Sequence, residues 1–275
     1  MNLLMKADKI IKEFEIVSKN PIIPKIKDNL LVGLDLGTAY IVLTVLDENR
    51  NLIAGAYRFA QVVRDGIVLD YIGALNIVKE LKSDIENKIG CCLKCAAVAI
   101  PPNTVINDIR YIKSVAEGAN FQVTNIIDEP TAANSVLKIK NGVIVDIGGG
   151  TTGIAIIKDG KVVHVADEAT GGTQCTLVLA GAYKISFEEA EKLKTDKDRQ
   201  KEISSVLVPV AEKIASIINS NIRGYQIDSI YLVGGTSCMY NIENVIEKET
   251  EIKTYKPENP LFVTPIGIAM NCINI

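Results

Sequence analysis

One short pattern occurs twice in this chain, and it constrains the fold more than any other feature. Gly33-Leu34-Asp35-Leu36-Gly37-Thr38 ends the apolar run that starts at Leu30, and Val145-Asp146-Ile147-Gly148-Gly149-Gly150-Thr151 ends the run that starts at Val143. Each copy is an apolar strand with an Asp near its end, followed by glycine and threonine. Two more apolar runs follow each copy: Tyr40–Leu46 and Leu52–Tyr57 after the first, Gly153–Ile157 and Val162–Val165 after the second. Asp47-Glu48-Asn49-Arg50 is a polar turn in the first meander, and Asp159-Gly160 in the second is a strong two-residue hairpin signal. A repeated meander with helices after it predicts two related α/β lobes, with a ligand held where they face each other.

The remaining pattern agrees with this. Helices fit residues 71–89, 105–118, 130–139 with Pro130 in the first turn, 172–183, 186–194, 200–223 and 265–272; further strands fit Cys95–Ile100, 121–127 and Ser229–Val233. Residues 1–19 read as an amphipathic helix, with Leu3, Ile10, Ile11, Phe14 and Val17 at helical spacing, and Pro21 and Pro24 stop it. That helix either packs on the body or docks a partner. Aromatic residues are 5% and Trp is absent, so aliphatic side chains must fill the core.

Charge and cysteine usage exclude several functions. With 30 Lys+Arg against 33 Asp+Glu, no positive excess points to nucleic acid or an anionic membrane. No apolar run approaches the roughly 20 residues of a membrane span, and the charged N-terminus is no signal peptide, so a cytoplasmic protein is expected. The six cysteines form no regular framework. Cys92-x-x-Cys95 lacks a second pair at zinc spacing and His164 is the sole histidine, so reduced thiols are expected.

The two glycine turns offer backbone N–H groups with no Cβ in the way, which lets a phosphate approach closely, and Thr38 and Thr151 add hydroxyls. Two carboxylates about 6 Å apart at an effective dielectric of about 20 repel by roughly 3 kcal/mol. A hydrated Mg²⁺ removes that cost, so Asp35 and Asp146 are candidate ligands of the metal through water. In Asp128-Glu129-Pro130-Thr131, the proline biases Glu129 toward extended backbone, where its acid can face the cleft and orient a water. Leu232-Val233-Gly234-Gly235-Thr236-Ser237 is again strand, double glycine and hydroxyls with a helix after them, a turn that lets a flat base or ribose lie against backbone. There is no G-x-x-x-x-G-K-[ST] loop, and Gly148-Gly149-Gly150 opens a strand rather than a helix, which sets aside P-loop and dinucleotide folds.

Together these segments resemble the actin-like ATPase superfamily, which includes DnaK-type chaperones, actin and MreB. The first phosphate loop, Ile126–Ala133, the second phosphate loop, Leu232–Thr236 and Thr264–Ala269 match in family order from residue 31 to about 270. The resemblance implies two duplicated ribonuclease H-like lobes around a central nucleotide cleft, with reduced outer subdomains. It implies an N-terminal helix and linker over 1–29, lobes over 30–139 and 140–262, and a closing helix over 263–275 that returns to the first lobe. ATP or ADP and Mg²⁺ are the implied cofactors. Glu129, Asp146 and Thr151 would be catalytic. Gly37, Thr38, Gly148, Gly149, Gly150 and Thr152 would lie on the phosphate side, Gly234, Gly235 and Thr236 by the adenosine, and Glu191 and Lys194 beside ribose and base.

Short length and the N-terminal helix resemble the EutJ family of ethanolamine-utilisation operons. That implies a chaperone-like protein linked to ethanolamine ammonia-lyase and a bacterial microcompartment. Three departures stand out: no lysine matches the chaperones' catalytic one, Arg58 and Arg64 being the nearest cations; Gly153 replaces an acid; and the segment from Thr151 to Gly234 is short. Nucleotide binding with slow hydrolysis is therefore expected. The alternatives are an MreB-like assembly protein and a degenerate, non-hydrolysing binding module.

Overall fold

The computed structural model describes residues 2–25, 29–64 and 66–274; the last part of the expected linker, 26–28, lies outside them. The chain runs α1 (Asn2–Lys19), β1 (Leu31–Leu36), β2 (Tyr40–Leu46), β3 (Leu52–Phe59), β4 (Val63–Arg64), β5 (Ile67–Val68), α2 (Tyr71–Ile89), β6 (Cys95–Ile100), α3 (Ile106–Gly118), β7 (Gln122–Asp128) and α4 (Glu129–Leu137). It continues with β8 (Gly142–Ile147), β9 (Thr152–Lys158), β10 (Lys161–Glu168), α5 (Gly172–Tyr183), α6 (Phe187–Thr195), α7 (Gln200–Asn221), β11 (Ser229–Val233), α8 (Ile242–Thr250), β12 (Lys253–Tyr255) and α9 (Val263–Met270).

Two sheets of five strands carry the repeat, in the orders β3-β2-β1-β6-β7 and β10-β9-β8-β11-β12. In each, the first three strands are antiparallel and the last two join in parallel. The Asp159-Gly160 hairpin turns with both residues at positive φ, as the twist of the flanking strands demands. The small β4–β5 hairpin is all that lies between β3 and α2, so the outer part of the first lobe is reduced.

The molecule is layered. One face of the first sheet packs on α2 and α3, and one face of the second on α5, α7 and α8. Between the sheets lie α1, α4 and α9. Helix α4 leaves the last strand of the first sheet and packs on β8 and β9; α9 leaves the last strand of the second and packs on β1 and β2. The two helices cross at backbone contact. A Cβ on Gly267 would sit 2.0 Å from the Ala132 carbonyl oxygen, and one on Gly33 would sit 2.4 Å from the Ala269 nitrogen.

Helix α1 packs on the body. Ala7, Ile11, Phe14 and Val17 are buried, and the Phe14 ring fills the space above Gly55 of β3. From the same helix, Asp8 accepts from the Glu258 N–H, Lys12 pairs with Glu258 and Glu15 accepts from Asn259, so α1 also ties down the segment leading into α9. Helix α7 is long and apolar enough to cross a membrane, but Ile203, Leu207, Val210 and Ile214 bury its apolar face against the second sheet. The helix expected after the Gly234-Gly235 turn is α8, which starts at Ile242; β12, for which the sequence carries no expectation, completes the second sheet.

Replacing Gly267 by Ala forces α9 off α4 or β1. Overpacking of this kind typically costs about 1–3 kcal/mol and sometimes more, and chemical denaturation of Gly267→Ala should show at least that loss. Phe14→Ala, which empties a closed site under α1, should lose about 3–5 kcal/mol in the same measurement.

Candidate functional site

Strand alternation aims the acids. Val32, Leu34 and Leu36 of β1 face the outer helices, so Gly33 and Asp35 face inward; Val143, Val145 and Ile147 of β8 face outward, so Ile144 and Asp146 face inward. The pseudo-symmetric lobes therefore present one Asp each to a shared cleft of ≈ 1160 Å³, somewhat larger than the roughly 300–1,000 Å³ common for ligand pockets.

The turns behind those acids are built alike. The Gly37 N–H donates to the Tyr40 carbonyl at 3.0 Å, and the Gly148 N–H to the Thr151 carbonyl at 2.9 Å. The turns also touch across the cleft: a Cβ on Gly149 would lie 3.1 Å from Thr38 Cβ and 3.3 Å from Ala39 Cβ. The second turn has its acceptors engaged on the lobe side. The Gly148 carbonyl accepts from the Gly172 N–H and from Thr236 Oγ1 at 2.7 Å, and the Gly149 carbonyl accepts from the Thr173 N–H and hydroxyl. Carbonyl oxygens repel an anion, so engaging them within the lobe suits a phosphate on the cleft side.

Glu129 enters from the N-terminus of α4. Asp128 accepts from the Thr131 N–H and caps that helix, which leaves the Glu129 carboxyl to line the cleft. Asp35, Gly37, Thr38, Gly148, Gly149, Gly150, Thr151, Gly234, Gly235 and Thr236 line it as well. Thr152 differs: its hydroxyl donates to the Thr170 carbonyl at 2.6 Å, inside the second lobe and fully buried. Glu191 and Lys194 are no solvated helix pair. Lys194 Nζ lies 2.7 Å from Glu191 Oε2, both side chains are largely buried in the cleft wall, and Thr176 and the Gly172 carbonyl complete the network. Thr176 was absent from the sequence expectations because nothing in its spacing marks it.

Arg58 pairs with Glu80 on the exposed face of β3, while Arg64 lines a smaller groove beside Thr38 and Gly149. Among the described residues no group of His, Cys, Asp and Glu converges closely enough to hold a metal ion directly. The cysteines form no disulfide; Cys92 is exposed, whereas Cys95 is buried.

The comparisons with known proteins agree with this geometry. The ethanolamine utilization protein EutJ of Salmonella typhimurium is 42% identical over 241 residues, which cover 87% of this chain and 85% of that one. The chain belongs to the EutJ family. The crystal structure of EutJ from Carboxydothermus hydrogenoformans superposes with a TM-score of 0.91 at 43% identity, covering 97% of this chain and 98% of that one. The ADP-bound structure of MreB5 from Spiroplasma citri has a TM-score of 0.69 at 19% identity, covering 88% and 95%, which shows the shared actin-like fold. A family model described as type IV pilus assembly protein PilM matches residues 122–260.

The cleft of this EutJ-family chain is electrostatically strained. Burial, then the charge of Asp146, pushes the Asp35 carboxyl up to about 7. Burial also raises Asp146, while a hydrogen bond from Thr264 opposes the rise. Glu129 lies well above the ordinary carboxylate range, through burial first and then Asp146 and Asp35. Asp167 adds to both. It stands opposite Gly153 in the β9–β10 register, and Gly153 stands opposite Asp146, so the two acids flank a glycine over which Pro102 and Pro130 pack. Sequence alternation hides this, because a register shift between Val162 and His164 changes the facing of β10.

Acids raised in the fold bind protons that the unfolded chain has released. Their contribution to the stability of the metal-free protein is full below about pH 4, near the ordinary carboxylate value, and is lost as pH rises through about 7. Asp35→Asn should raise the melting temperature of the metal-free protein at pH 7.5 and flatten its fall between pH 4 and 7. A melting profile parallel to wild type would show that Asp35 is not held under strain.

Proposed function

We propose that this protein is an ATP-binding, actin/DnaK-like protein of ethanolamine utilisation, acting in the cytoplasm as a slow Mg²⁺-dependent ATPase of chaperone type. The observation that carries the reading is the direct apposition of the two glycine turns, Gly149 against Thr38 and Ala39, with Asp35 and Asp146 behind them. The donor set fits a hydrated Mg²⁺: oxygen ligands only, on opposite lobes, and no direct metal cage. When bound, the ion supplies neutralising charge to the acids and to phosphate oxygens.

In this reading Asp35 and Asp146 hold the metal's waters, and the turn N–H groups with Thr38 and Thr151 bind the phosphates. Glu129 orients the attacking water. Its raised proton affinity suits it to accept a proton from that water once the neighbouring acids are neutralised. Gly234, Gly235 and Thr236 support the adenosine; Glu191 and Lys194 flank it. Thr152 serves through its backbone, since its hydroxyl belongs to Thr170. The lobes close on the nucleotide and loosen on release, and that motion works on a protein client, ethanolamine ammonia-lyase or a microcompartment component. Residues 1–29 act with the lobes at 30–139 and 140–262, and 263–275 is the closing helix that returns to the first lobe.

A second reading, a binding module without turnover, is favoured by one observation. Arg58 is held by Glu80 away from the cleft and does not stand in for the lysine of the chaperones.

Titration calorimetry with ATP, with and without Mg²⁺, tests the proposal. Magnesium-dependent binding in the micromolar range is expected, and Asp146→Ala should abolish it while leaving the circular dichroism of the fold intact. Glu129→Ala should keep binding and lower single-turnover hydrolysis by roughly 10²-fold or more. Wild-type binding without any turnover selects the second reading; no binding at millimolar ATP removes both.

A further inference from the structure

The internal repeat extends into the two crossing helices. Glu129-Pro130-Thr131-Ala132 opens α4, and Thr264-Pro265-Ile266-Gly267 matches it around the first turn of α9. The helices meet at Ala132 and Gly267, where a Cβ on Gly267 would run into the Ala132 carbonyl, and these are equivalent positions in this alignment. A pseudo-two-fold axis through that contact relates Glu129 to Thr264. Each stands three residues before its crossing residue, and each lines the cleft.

Thr264 is buried, and its Oγ1 donates to Asp146 Oδ2 at 2.5 Å. The other carboxylate oxygen is confined by Gly234, where a Cβ would sit 2.2 Å from Asp146 Oδ1. The Asp146 side chain belongs to the second sheet, while Thr264 belongs to a helix packed on the first. This hydrogen bond therefore bridges the lobes at the acid nearest the second phosphate turn. Glu129 and Thr264 have diverged within the repeat: one carries an acid, the other the hydroxyl that orients an acid.

We propose that Thr264 is a positioning residue for this site, fixing the Asp146 carboxylate toward the hydrated metal and linking nucleotide engagement to α9 and the first lobe. The proposal rests on the nucleotide reading given above. Groups that orient the ligands of a metal typically contribute about 10- to 100-fold to its binding.

The test is calorimetry on the full chain with ATP, with and without Mg²⁺. Thr264→Val is expected to weaken magnesium-dependent ATP binding by roughly tenfold or more, with magnesium-free ATP binding unchanged. Thr264→Ser, which keeps the donor, is expected to restore wild-type binding. In an Asp146→Asn background, Thr264→Val is expected to add no further loss, since the group it orients has already changed. Equal loss with and without Mg²⁺, failure of the serine variant to restore binding, or additive loss in the double variant overturns the assignment and leaves Thr264 a packing residue. If Thr264→Val does not fold, as judged by circular dichroism, Thr264→Ala takes its place with the same expectations. A wild-type protein that binds ATP equally with and without Mg²⁺, or not at all, overturns the nucleotide reading itself. Wild-type magnesium dependence that Thr264→Val leaves unaltered overturns only the role of Thr264.

Discussion

The backbone contact among β1, α9 and α4 governs everything else in this molecule. Gly33 lets α9 lie directly on β1, and Gly267 lets the same helix lie directly on α4 at Ala132. No side chain fits at either contact. With both helices clamped between the sheets, the ends of β1 and β8 are brought face to face, so the turns that follow them touch. The cleft is a consequence of that spacing: a separation larger by one methyl group would part Gly149 from Thr38 and Ala39.

Such close approach concentrates negative charge. Asp35, Glu129 and Asp146 all line the cleft, and burial raises the proton affinity of all three; the charge of Asp146 adds to the rise at Asp35 and Glu129, and that of Asp167 to the rise at Asp146. The fold tolerates this because the strain is local and the surrounding apolar layers are dense. Burial on α2 and α3 on one side, and on α5, α7 and α8 on the other, holds the strands whose ends carry the acids. The N-terminal helix belongs to the same economy of contacts. Its Phe14 closes the inner layer over β3, and its polar edge secures the segment entering α9. It is part of the core and not a free arm.

Much of this was legible before any coordinates. The apolar runs located the main strands, though β10, expected over Val162–Val165, extends over Lys161–Glu168, and the Asp-x-Gly repeats marked the facing turns. Helices from 71 to 89 and from 172 to 183 have the expected bounds. The misses have physical causes. Strand β12 has only three residues, Lys253–Tyr255, too few for any period to show, and α8 is short and heavily charged, so the helix expected after the Gly234-Gly235 turn had no bounds. Thr152 follows Thr151 by one residue and faces the other side of its strand, which composition does not reveal. Glu191 and Lys194 look like an ordinary surface pair at helical spacing until α5 brings Thr176 against them.

By itself, the sequence determined the duplicated α/β architecture, the equivalent placing of Asp35 and Asp146 in its two copies, and the family to which the chain is related. These follow from local alternation and from glycine turns, both of which are properties of neighbouring residues. Only the tertiary structure decided which polar groups meet across long separations: Thr264 with Asp146, Asp167 opposite Gly153, and α1 with the segment at Glu258. Those pairings depend on helix crossing and strand register. Both are set by packing between distant segments, and no local pattern in the chain encodes them.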